Sequence, residues 1–347
     1  MDIPAAALAA FTNRCLVAAG VPAGEAALIT QTLVEADARG IHSHGVMRLP
    51  LYIQRIQGGL NRPAAHIEVV RDHAATALLD AHHSAGQVAA TRAMELAVAK
   101  AGEYGIGAVV VRDSNHFGIA AHYALTAAEK GMIGLAASNT TPLMPPTGGA
   151  EKVLGNNPLA IAAPSAGAYP LLLDMALSNV ALGKILHAKA AGTPIPEGWG
   201  VDRAGQATTD PAAVLEGGFM LPVGGPKGFG LAFMIELLTG VLGGSQFSKL
   251  IPSMFDLTRK QSIAHFMLAI DIGRFLEPGR FRELAAQLSS YVKNAARAEG
   301  VTELFLPGEI EFRAEERRRA TGIPVEANIL QDLNTLALSL GVPALEV

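Results

Sequence analysis

Apolar residues recur at helical spacing from Pro4 to Ala19 and from Gly24 to Ala38, which predicts two amphipathic helices at the amino end. Residues 67–80 carry IEVV and TALLD around a turn-like RDHAA and predict two short strands. An alanine-rich helix is predicted over Ala85–Ala101, followed by a strand centred on Ala108–Val111 that ends at a polar loop holding His116. A helix through Lys130 comes next. Met132–Ala137, Pro158–Ala163, Pro170–Asp174 and Phe266–Ile270 read as further short strands, and Ser178–Ala191 as a helix. Residues 193–228 are dense in proline and glycine and read mostly as loop. The last 70 residues read as helices broken by the LPGE turn at Leu306–Glu309. A strand-rich middle thus lies between helical ends.

The stretch Gly228–Phe247 is apolar and long enough to span a bilayer. Glu236 near its centre would cost about 3 kcal/mol there, and five glycines weaken the helix further, so a buried core helix is the expectation. Composition points the same way. Half the residues are apolar and the charge is −4, which supplies no electrostatic argument for nucleic acid or an anionic membrane. One cysteine, Cys15, forbids an intrachain disulfide and fits a reducing, cytoplasmic compartment. It lies in an apolar helical stretch and reads as buried filler.

Candidate chemistry concentrates in Glu35–Gly59, EADARGIHSHGVMRLPLYIQRIQGG, where His44, Arg48 and Tyr52 recur every four residues. On a helix these would share a face, giving a titratable group beside a fixed cation. Pro50 conflicts with one continuous helix. Either the helix kinks there, or it starts at Pro50 and the SHG segment is the turn entering it, with His44 on a loop. Elsewhere the motif rules return negatives. No G-x-G-x-x-G, P-loop, H-E-x-x-H, paired cysteines or G-x-S-x-G occurs, and His42-x-His44 and His82-His83 are weak metal signals. No metal site is expected.

The block EADARGIHSHGVMRLPLYIQRI resembles the signature of the non-Rossmann malate/L-lactate dehydrogenase family. So, in order, do DSNHFGIAAHYA (113–124), TPLMPPTGGAEKVLGNNPLAIAAP (141–164), LLLDMALSNVALGKI (171–185), PIPEGWGVDRAGQATTDP (194–211), GGPKGFGLAFMIELLTGVLGG (224–244) and LPGE (306–309). The resemblance implies an α+β fold: a mostly antiparallel, non-Rossmann cofactor-binding sheet flanked by helices, with helical terminal regions packed together. Residues 75–280 would form the cofactor-binding domain and residues 1–74 with 281–347 the helical one, in a homodimer.

The resemblance also implies roles. His44 would be the acid/base histidine assisted by Asp174, with His116 as the rival proton carrier. Arg48 would grip a substrate carboxylate with Ser43 and Tyr52 beside it. Thr140, Asp174, Met175, Ala176, Lys227, Gly308 and Glu309 would contact NAD or NADP. Glu309 as an acceptor for ribose hydroxyls would lean the choice towards NAD. The expected reaction interconverts a small 2-hydroxy acid and its 2-oxo acid. Reduction of a cyclic ketimine such as piperideine-2-carboxylate and an inert nucleotide-binding scaffold are the alternatives. The ADARGIHSHG block, the GPKG turn and SMFDL (253–257) resemble the ureidoglycolate branch, but Thr141 stands where that branch tends to carry an acid.

Overall fold

A computed structural model describes residues 1–346. In chain order the elements are β1 (Asp2–Ile3), α1 (Ala5–Ala18), α2 (Ala23–Ala38), α3 (Leu49–Gln57), β2 (Glu68–His73), β3 (Thr76–Asp80), α4 (Gly86–Tyr104), β4 (Ile106–Ser114), α5 (Ala121–Glu129), β5 (Met132–Ser138), β6 (Leu159–Ala163) and β7 (Leu171–Met175). They continue with α6 (Leu182–Ala191), β8 (Gly200–Val201), α7 (Pro211–Leu215), β9 (Phe219–Met220), α8 (Pro226–Glu236), β10 (Ile263–Asp271), α9 (Pro278–Lys293), α10 (Glu309–Thr321), β11 (Ile323–Pro324) and α11 (Ala327–Ser339). Two 3₁₀ turns, His42–His44 and Val46–Arg48, join α2 to α3.

A seven-stranded sheet of order β2-β3-β4-β10-β5-β6-β7 forms the centre. Only β3 and β4 pair in parallel; every other neighbour is antiparallel, so no doubly wound crossover pattern arises. One face is covered by α4 and α5 through alanine: Ala89, Ala93 and Ala97 from α4, and Ala121, Ala124 and Ala127 from α5. Two strand glycines make that approach feasible. A Cβ at Gly107 would run into the Ala97 carbonyl of α4, and one at Gly134 into the Ala124 carbonyl of α5. Small residues on both sides explain how a chain with 5% aromatic content fills its core. The other face packs Leu135, Ala137, Leu159 and Met175 against α6, α7 and α8.

A separate apolar core joins the two ends of the chain. Leu8, Phe11, Leu16, Leu33, Leu49 and Ile53 pack with Ile323, Leu333 and Leu336, and β1 pairs with β11. Cys15 lies inside it, fully buried, its thiol pushed up to about 11 by burial. The strand β2 falls within residues 1–74 yet joins the central sheet through β3.

Gly228–Phe247 departs from the sequence expectation of a buried core helix. The helix α8 continues into a π-helical turn, Leu237–Val241, and buries Gly228, Ala232, Ile235, Glu236, Thr239 and Gly240. Its opposite side is open: Phe233, Met234 and Leu242 are 49%, 52% and 60% exposed. A helix apolar all round offers only one stripe to the sheet, and the rest of its surface has no partner within this chain. Likewise α9 buries none of its residues. No helix among the described residues is long and apolar enough to cross a membrane. The helix predicted over Ser178–Ala191 starts only at Leu182, after a turn in which the Ser178 hydroxyl donates to the Val180 carbonyl.

Candidate active site

Pro50 occupies the first turn of α3, so the second reading of that segment holds: the helix begins there and the SHG turn leads into it. The turn is locked from within. Asp37, at the end of α2, accepts from the Val46 amide (2.7 Å) and pairs with His42 Nδ1 (2.8 Å). Gly45 is required because a Cβ there would collide with the Asp37 carboxylate. In the sequence Asp37 carries no signal of this role, and His42 figures only in the weak His42-x-His44 metal pattern, although both lie in the same motif block.

The turn presents His44 to His116, their rings stacked with centroids 5.3 Å apart. His44 Nδ1 is 2.8 Å from Ser43 Oγ. The Tyr52 hydroxyl, one turn into α3, is 2.6 Å from His116 Nδ1, and the Gly118 amide points at the same nitrogen from 3.3 Å. An amide can only donate, so His116 Nδ1 accepts and its proton sits on Nε2. Arg48 Nε donates to the Ser43 carbonyl (2.7 Å), and its guanidinium lies 5.7 Å from the centre of the Phe255 ring. It forms no ion pair among the described residues. The side chains of Ser43, His44, Arg48, Tyr52 and His116, separated by up to 73 positions, therefore meet.

Burial sets the electrostatics. It lowers His44 to about 4, with the Arg48 charge adding to the effect. It lowers His116 well below the usual imidazole range, helped by His44 and Arg48. Both rings are neutral at pH 7, and Arg48 is the cation beside them. Behind them, His265 stacks on Phe117 at 4.6 Å and is bracketed by Ser138 Oγ and Ser114 Oγ, each at 2.9 Å from a ring nitrogen. Arg55, 1% exposed, donates to the carbonyls of Met254, Asp256 and Arg259 and so anchors the loop that carries Phe255. These supporting residues escaped the sequence reading because their partners lie about 100–200 positions away.

Asp174 departs from its expected place. No hydrogen bond or ion pair joins it to His44; its carboxylate accepts from the Ala121 amide at the start of α5 (3.1 Å). Burial raises it to about 6. The physical reason lies in the alternation of β7. Asp174 pairs with Ala160 and faces the α5 side, while Met175 faces the opposite core.

The remaining expected contacts lie along β7 and the segments beside it, with Gly308 near its start and Ala176 just past its end. The Thr140 hydroxyl donates to Asn156 Oδ1, the Leu177 amide to the Asn156 carbonyl, and the Val223 amide to the Leu177 carbonyl. Ala176 follows β7, and Gly308 lies against Leu172 of the same strand. Lys227 is the second residue of α8, exposed and without an ion pair among the described residues. It follows Gly224 and Gly225, both in the left-handed region with open space around them. The Gly225 amide donates to the Pro222 carbonyl (3.0 Å) and Pro226 has no N–H. What suits a phosphate at this helix start is therefore the unpaired Lys227 ammonium, and with it this edge could hold a nucleotide. Glu309 does not stand free: it is bound by Lys293 at 3.0 Å, by Arg313, and by the Leu306 amide at 2.9 Å.

The family model for malate/L-lactate dehydrogenase matches residues 3–334. The chain belongs to that family of dehydrogenases. It is 40% identical over 351 residues to the malate dehydrogenase of Pyrococcus horikoshii, covering 99% of this chain and 96% of that one. It is 36% identical to the NAD(+)-dependent ureidoglycolate dehydrogenase of Escherichia coli strain K12, covering 97% and 96%. The solved structure of sulfolactate dehydrogenase from Methanocaldococcus jannaschii superposes with a TM-score of 0.93 at 38% identity, covering 99% and 98%.

Proposed function

We propose that the chain interconverts a small 2-hydroxy acid and its 2-oxo acid with a nicotinamide cofactor, using His44 as acid/base and His116 as a fixed hydrogen-bond donor. The observation that carries this is the stacked pair of neutral histidines beside one unpaired guanidinium. In the oxidative direction His44 takes the hydroxyl proton through Nε2, which requires its own proton on Nδ1 with Ser43 Oγ accepting it. His116, its Nδ1 occupied, offers Nε2–H to the same oxygen. Arg48 Nε is committed to the Ser43 carbonyl, so the outer guanidinium nitrogens serve the substrate carboxylate. The cofactor, when bound, accepts or supplies the hydride.

Thr140, Met175, Ala176, Lys227 and Gly308 form the proposed nucleotide edge, with Lys227 and the first turn of α8 taking a phosphate. Asp174 is assigned to ordering the start of α5, the helix that follows His116. With Glu309 committed to Lys293 and Arg313, the reason for preferring NAD over NADP lapses. The open apolar sides of α8 and α9 support a homodimer.

The test is a panel of 2-hydroxy acids, 2-oxo acids and cyclic imines with both nucleotides, read at the nicotinamide absorbance. His44→Ala should abolish turnover and leave nucleotide affinity within a few-fold. Arg48→Lys should chiefly raise KM, since an ammonium cannot reproduce the planar fork. Retained turnover in His44→Ala would move the proton role to His116.

A further inference from the structure

On the far side of the turn that precedes α4, three side chains from two segments converge: His66, Glu68 of β2, and His82 just beyond β3. One donor atom from each lies within 4.8 Å of the other two. The His66 and His82 rings stand 4.7 Å apart, and His82 Nε2 is 2.9 Å from a Glu68 oxygen. Two imidazoles and a carboxylate are a donor set that divalent transition ions take readily. Around a tetrahedral zinc with bonds of about 2.0–2.1 Å, donors stand roughly 3.4 Å apart, so small side-chain rotations close the set.

Two further observations set this apart from a chance surface cluster. The second nitrogen of His82, Nδ1, faces Asp80 Oδ1 at 3.6 Å, and Asp80 is itself nearly buried and fixed by Arg112 Nε (2.8 Å) and the His82 amide (2.8 Å). A carboxylate behind the free nitrogen is what orients a metal-bound histidine. Glu68 and Asp80 are also direct register partners across β2 and β3, so two carboxylates share one side of the sheet edge with His82 between them. The scaffold is pinned as well. Arg62 donates from its amide to the His83 carbonyl and from Nε to the His82 carbonyl, and the Ser84 hydroxyl bonds both the amide and the carbonyl of His66.

We infer that His66, Glu68 and His82 bind one zinc or similar divalent transition ion, with Asp80 as the positioning residue behind His82. The site is independent of the histidines of the active site. It ties β2 to the turn whose His83 and Ser84 carbonyls hold Asn115, the neighbour of His116.

Tag-free, chelator-stripped protein should take up one Zn²⁺ per chain in titration calorimetry at pH 7.5, and Co²⁺ should give visible d–d bands. His66→Ala and His82→Ala should each weaken zinc binding at least tenfold, and Asp80→Asn by roughly 10–100-fold. In the unmodified chain, Zn²⁺ should protect His66 and His82 from diethyl pyrocarbonate, read by mass spectrometry, while His73 still reacts. No zinc uptake, uptake undiminished in His82→Ala, or equal labelling with and without zinc would each overturn the proposal.

Discussion

Lowering the pH from 7.5 to 5.5 should leave the oxidative kcat/KM almost intact. As the proposed base, His44 can act only when neutral, and burial with Arg48 beside it lowers its titration to about 4. With that value about 97% of the free enzyme carries a neutral His44 at pH 5.5. With an ordinary value of 6.5 only about 9% would, a roughly tenfold loss. The assay is kcat/KM against pH from 4.5 to 8, using the fastest hydroxy acid of the panel, with circular dichroism confirming the fold at each pH. Asp174, raised to about 6, is a buried group whose titration could imitate a normal histidine, so Asp174→Asn is run beside the wild type. Arg48→Met supplies the second arm. Removing the guanidinium should move the acid limb upward, but burial should keep it below 6.5. A limb at 6–7 in the wild type that persists in Asp174→Asn would refute the reasoning, because His44 would then be solvated rather than enclosed.

Tyr52→Phe removes the hydroxyl that holds His116 Nδ1 at 2.6 Å; losing about 1 kcal/mol of orientation should lower kcat about fivefold with nucleotide KM unchanged in steady-state kinetics. Glu236→Gln should lower the thermal midpoint by several degrees in differential scanning fluorimetry. The carboxylate accepts from Asn139, Asn157 and the Ser248 amide, and a glutamine must turn its NH₂ towards one of these donors, at about 1–3 kcal/mol. His265 is held near 3 by burial, so its unfolded form binds the extra proton between about pH 3 and 6.5. Stability from this group is present above pH 6.5 and is lost as pH falls, by at most about 4–5 kcal/mol. His265→Gln should therefore flatten the urea midpoint against pH over that window; an unchanged slope would show that the ring is not enclosed.

Much of the architecture was legible in the residues because each element carries its own period. The valines of β4, the alanines of α4 and the LPGE turn are local signals, and the structure puts an element at each. What escaped was set by partners distant in the chain. Nothing in the period of α8 says that only its Ala232 and Ile235 stripe meets the sheet, so a wholly apolar helix read as wholly buried. The Glu35–Gly59 block carries His44, Arg48 and Tyr52, and Pro50 points to the turn that carries the first. That Tyr52 turns to His116, 64 positions away, is a tertiary fact with no local trace. Asp174 marks the converse limit, since a motif names a residue without saying which face of an edge strand it occupies.

The ordering of charges follows chiefly from enclosure, with the Arg48 charge adding to it at the histidines. Burial opposes whichever form is charged, so it raises Asp174 and lowers His44 and His116 together. The usual order of carboxylate and imidazole is inverted: at pH 5 Asp174 holds its proton while His44 has already lost its own. Arg48 alone is too basic to yield, and remains the one charge of the histidine pocket across the working range. An arriving carboxylate therefore meets an uncompensated cation. By cancelling it, the substrate removes the repulsion that adds to burial in holding His44 down, so the imidazole becomes a stronger base once the complex has formed. The acid limb of kcat should accordingly lie above that of kcat/KM, and coincident limbs would mean that the substrate carboxylate does not pair with Arg48.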